Sequence, residues 1–89
     1  MHDYSMEPRE PTVKEMREYR SNLRALLDSD SPEDVKDDKA RRMLFGVGAL
    51  RLLRDDEPVD VDDIGWEACL RFQDEINDRL FPKAPPGGS

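Results

Sequence analysis

Apolar residues recur at helical spacing along three stretches of this chain. In the first, Val13, Met16, Tyr19, Leu23, Leu26 and Leu27 fall on one arc, while Glu18, Ser21, Asn22 and Ala25 face away. Thr12 and Glu15 stand three apart, the spacing at which each side chain satisfies a free backbone N–H of a first helical turn. The run Asp28-Ser29-Asp30 ends the pattern, so a helix over 12–28 is predicted.

A second helix is predicted over 32–54. Ser31 is a natural N-cap, Pro32 suits the first helical position, and Glu33 and Asp34 complement the positive end of the helix dipole. Arg51 and Arg54 stand near the far end, where the dipole favours cations. Ala40, Met43, Leu44, Val47 and Leu50 make one apolar arc, and Phe45, Ala49, Leu52 and Leu53 make another. A helix apolar on two sides belongs between neighbours, so this one is expected to be central. Gly46 and Gly48 each cost roughly 1 kcal/mol against alanine inside a helix. Close packing of a neighbour offsets such a cost, and a kink at Gly46 is the alternative.

The third stretch, Val61, Ile64, Ala68, Cys69, Phe72, Ile76 and Leu80, predicts a helix over 61–81. Asp60 or Asp62 would cap it, and Pro82 cannot continue it. Alternation at period two appears only over 58–62, too short to predict a strand. The expected fold class is therefore all-α: a three-helix domain over 12–81, a flexible N-terminal arm over 1–11 and a Pro/Gly-rich mobile tail over 82–89.

Composition bears on partners more than on fold. The 89 residues allow one domain. The chain is 39% charged, with a net charge of -7, a combination toward the polar edge of what folds alone. Residues 55–89 hold ten acidic and three basic groups, whereas residues 31–54 hold six basic and four acidic. The acidity is thus a property of the last third. It opposes binding of a phosphate backbone by the whole surface and suits a basic partner. The single cysteine, Cys69, excludes an internal disulfide framework and points to a reducing compartment. The polar N-terminus lacks a signal-peptide pattern, and Met43 to Leu53 is too short to span a bilayer, so a cytoplasmic protein with no membrane contact is expected.

Candidate chemistry is sparse. His2 is the only histidine and lies in the arm, which leaves the ordered part without a Ser/His/Asp or Cys–His set. Cys69 falls on the core face of the third helix, as a small buried hydrophobe would. Gly46-Val47-Gly48 lacks the Gly-Lys-Ser/Thr of a phosphate loop. No catalytic residue, cofactor or metal ligand is assigned. The acidic run Asp55, Asp56, Glu57, Asp60, Asp62 and Asp63 has none of the spacing of a calcium loop. It serves either to start a helix and solvate a turn or to attract a basic partner.

The main functional signal is a second apolar set on the third helix. Trp66, Leu70 and Phe81 lie opposite its core face, beside Gln73 and Asn77, and aromatics on an otherwise polar face are common interface anchors. Phe45 and Leu52, from the second arc of helix two, would extend the same patch. The chain carries more apolar helical surface than a bundle of this size hides, which implies contact with another protein or a second copy of itself.

The segment from Leu50 to Gly65 resembles the helix–turn–helix of winged-helix proteins, in which a Leu-rich helix leads through a short turn into a second one. That resemblance implies DNA binding. Here, however, the element that would enter the major groove begins with Asp62, Asp63 and Glu67, which phosphates repel. Direct nucleic-acid binding is not expected. The leading expectation is a non-enzymatic, acidic protein–protein interaction module, homodimeric in one form. The alternative is an inhibitor whose acidic surface imitates DNA and occupies a nucleic-acid-acting protein, similar as a class to small acidic phage and antitoxin factors.

Overall fold

The computed structural model describes residues 2–82. The elements run β1 (Tyr4–Pro8), α1 (Val13–Leu27), α2 (Glu33–Gly48), β2 (Ala49–Arg54), β3 (Glu57–Pro58), a 3₁₀ turn (Val61–Asp63) and α3 (Trp66–Leu80). Three helices accompany a three-stranded antiparallel sheet of order β1-β2-β3. The expected all-α bundle is therefore corrected to a mixed α and β fold.

The first helix starts where its cap places it. The Glu15 N–H donates to Thr12 Oγ1 at 3.1 Å, and the Thr12 N–H donates to Glu15 Oε1 at 3.0 Å. Arg9 adds an ion pair to the same carboxylate. These hydrogen bonds, the Thr12 backbone N–H first and the Arg9 guanidinium second, hold the Glu15 carboxyl below its ordinary value. A depressed folded value stabilises the fold fully above the unfolded value, near 4.5, and that contribution is lost as pH falls through the folded value. Glu15→Gln is accordingly expected to lower the melting temperature at neutral pH and to leave it nearly unchanged well below pH 4.5, which flattens the acid limb of a melting-temperature-against-pH profile.

The largest departure lies in the second helix. It stops at Gly48, and residues 49–54 run on without a loop as β2, with Ala49 already extended at φ -119° and ψ 127°. Two glycines within three residues weaken the helix at that point. The short run Ala49 to Leu53 is apolar enough to serve either state, and the N-terminal segment decides between them by pairing with it. Tyr4 faces Arg54, Met6 faces Leu52 and Glu7 faces Arg51 in register. Residues 4–8, expected in a flexible arm, thus form an edge strand. The Leu50–Gly65 segment is strand, turn, strand and 3₁₀ turn, so the helix–turn–helix resemblance does not hold.

The β2–β3 connection is a two-residue turn at Asp55-Asp56, both at positive φ (53° and 69°), the signature of a type I′ hairpin turn. Asparagine and glycine are the preferred occupants of such positions. Asp56→Gly is expected to raise stability by about 0.5–1 kcal/mol, read from the urea midpoint, because it removes a left-handed side-chain penalty. Asp55 also fastens the N-terminus: its carboxylate accepts from the Asp3 N–H and contacts His2 Nδ1, each at 2.9 Å.

The third helix starts at Trp66 rather than at 61. Asp60 caps only the 3₁₀ turn, accepting from the Val61 N–H at 2.8 Å, and Ile64 and Gly65 are extended. The buried core joins Ala68, Cys69, Phe72 and Ile76 of α3 with Leu44, Phe45 and Val47 of α2, and with Tyr19 and Val61. Tyr4, Met6 and Leu52 of the sheet pack against it. α1 and α3 each pack on α2, which is the central helix. Gly48 lies so close to Ile76 of α3 that a Cβ there would collide with that side chain, whereas a Cβ on Gly46 would meet open space. Close packing accounts for Gly48 alone. Among the described residues no helix is long and apolar enough to cross a membrane. Residues 83–89 of the expected tail lie outside the described residues.

Candidate functional site: a groove among the three helices

Because α1 and α3 both lean on α2 and meet each other mainly at one end, a trough opens between them. Its floor is the α2 face carrying Asp37, Ala40, Arg41 and Leu44. One wall is Tyr19 and Leu23 of α1, and the other is Trp66, Leu70, Gln73 and Asn77 of α3. The volume is about 380 Å³. Helical geometry places the α3 residues at spacings of three and four, so they share one stripe, set apart from the core stripe of Ala68, Cys69, Phe72 and Ile76.

Two of the apolar side chains that line it are open to solvent, whereas Tyr19 and Leu44 are buried. Trp66 is 64% exposed and Leu70 42%. Both are large apolar side chains, and Trp is the residue type most enriched in interface anchors. Arg41 stands beside the indole, its guanidinium carbon 5.7 Å from the ring centroid, and it also pairs with Asp38 at 3.4 Å. A guanidinium over a tryptophan face is attracted by the ring quadrupole and restrains the ring. At the closed end, the rings of Tyr19 and Phe81 lie 6.4 Å apart, with Arg20 5.8 Å from the Phe81 centroid.

Of the six expected contact residues, the fold brings Trp66, Leu70 and Asn77 into this groove. Phe81, 39% exposed, stands at its end against Tyr19. Phe45 and Leu52 lie elsewhere, around a separate depression with Arg42, Ala49, Val59 and Val61, and Phe45 is only 4% exposed. The expected continuous patch is therefore divided. Sequence reasoning missed Tyr19, Leu23, Ala40 and Leu44 as groove residues because their spacing signals only that they face other helices. Arg41 was legible only as a positive charge on helix two.

The acidic run is partly consumed by the fold. Asp55 holds the N-terminal segment, Asp60 caps a turn, and Asp62 pairs with Arg42 across to α2. Hydrogen bonds from the Asp3 N–H and from His2 hold the Asp55 carboxyl below its ordinary value. Asp56, Glu57 and Asp63 are exposed. Among the described residues no group of three or more His, Cys, Asp or Glu side chains is arranged to hold a metal ion. Cys69 is buried, and burial pushes its thiol up against a smaller opposing effect of Arg41. A thiol in that state is a poor nucleophile.

Fold and groove together define a small mixed α and β protein with an open, aromatic-anchored trough of mixed polar and apolar lining. No known protein family matches the chain, and neither a curated protein nor a solved structure is significantly similar to it.

Proposed function

We propose that this protein is a non-enzymatic protein–protein interaction module whose partner docks in the α1–α2–α3 groove. The observation that carries this reading is Trp66 with Leu70, two large apolar side chains exposed on one wall of a concave trough. An amphipathic helical face laid into such a trough places its apolar side chains between Trp66, Leu70, Leu44 and Leu23, and its polar edge meets Gln73 and Asn77 at the rim. The binding energy would concentrate in the indole and its neighbours, where docking removes the most apolar surface from water. A single buried thiol suits a reducing, cytoplasmic setting.

The test compares the immobilised wild-type chain with Leu70→Glu and Leu50→Glu in native extract. Leu50 is an exposed leucine outside the groove. A protein retained by wild type and Leu50→Glu but lost from Leu70→Glu is the expected outcome. Identical retention by all three would end the reading.

A further inference from the structure

The two walls of the groove differ in charge. α1 carries four basic and two acidic side chains, and α3 carries four acidic and two basic. Position on each helix sharpens the contrast. Successive residues advance about 100° around a helix, so Glu67, Asp74 and Asp78 flank the Trp66–Leu70–Asn77 stripe on its outer side, away from the core stripe. All three are exposed. On α1, Arg20 stacks toward Phe81 at the end of α3, which fixes the side of α1 that faces the groove mouth. Arg24 and Leu27 lie one and two turns further along that side, and Arg20, Arg24 and Leu27 are exposed.

One rim is thus net acidic, with Arg71 among its three carboxylates, and the other is basic with an exposed leucine. A twofold axis running along the groove, at the level of its mouth, brings the acidic rim of each copy onto the basic rim of the other, twice over. The same operation sets Trp66 and Leu70 of each copy over the other's trough.

We propose that the occupant of the groove is a second copy of this chain, in a twofold dimer that pairs the Arg20–Arg24 rim with the partner's Glu67–Asp74–Asp78 rim. This rests on the groove being a docking surface and adds what docks there. A partner with one sign of charge along both edges of its docking helix would be repelled by one wall, whereas this chain complements both.

Two charge-reversed variants test it by sedimentation equilibrium. One carries Arg20→Glu and Arg24→Glu, the other Glu67→Lys, Asp74→Lys and Asp78→Lys. Wild type is expected to dimerise, with affinity falling as salt rises from low to moderate concentration. Each variant alone should dimerise at least about tenfold more weakly, because both its rims then carry one sign. An equimolar mixture should regain the dimer, since each variant's rims complement the other's. Circular dichroism of each variant confirms that it is folded. A wild type that stays monomeric at every concentration overturns the second-copy proposal, yet leaves the groove reading standing if Leu70→Glu still loses a captured protein. A dimer indifferent to both charge reversal and Leu70→Glu forms elsewhere, and it overturns this proposal regardless of what the extract yields.

Discussion

Ile76→Ala is expected to cost about 2–5 kcal/mol, a large share of the stability of a domain this small. Among the described residues Ile76 is the one fully buried large side chain, at 0% exposure, and it sits where α3 crosses the end of α2. Removing its branches leaves a cavity that rigid helix ends cannot close. Gly48→Ala attacks the same contact from the other side, because the added methyl collides with Ile76 near its branch point rather than at a flexible tip. An overpacking cost of about 1–3 kcal/mol follows. The two changes should not add. In the double variant the new methyl occupies part of the space that Ile76 vacates, so the combined loss should fall clearly short of the sum of the single losses. Gly46→Ala, two residues away with open space beside it, should instead stabilise by about 1 kcal/mol. Urea denaturation followed by circular dichroism reads all four variants. Additive losses, or equal effects at the two glycines, would show that α2 and α3 do not meet as described.

Trp66→Ala should separate folding from association. The indole is mostly solvent-exposed, and within the fold its Arg41 contact is worth about 0.5–1 kcal/mol. Helicity and melting temperature of the dissociated chain should therefore change little. Association should weaken by about 1 kcal/mol or more, and by about 2 if the indole is the central anchor. A Trp66→Ala chain that unfolds would identify the ring as core. One that associates like wild type would remove it from the interface.

The chain announces its local signals and conceals its distant ones. Thr12 and Glu15 mark the start of α1 because a capping box is complete within four residues. The core stripe of α3 is equally visible, and Ala68, Cys69, Phe72 and Ile76 are all buried. By contrast, β2 is indistinguishable by periodicity from a last turn and a half of α2. Its extended state depends on Tyr4–Pro8, which lies more than 40 residues earlier and contributes too little alternation to be read alone. The groove was half legible. Trp66, Leu70 and Asn77 declared themselves as an unpartnered stripe, but no spacing reveals that α1 and α3 splay apart over α2, and that splay supplies the floor and the facing wall. The acidic run misled for a related reason. Asp55, Asp60 and Asp62 have partners in the N-terminal segment, a 3₁₀ turn and a neighbouring helix that composition does not show.

Trp66 is the only tryptophan of the chain, so its fluorescence reports the groove and nothing else. The most direct measurement is acrylamide quenching of that emission as the protein passes from dissociated to associated, by raising its own concentration or by adding a captured partner. Burial of the indole should shift the emission to the blue and cut the quenching constant several-fold, in step with the increase in mass. An emission that stays red and fully quenchable while the mass rises would contradict the account, because association would then proceed without the groove.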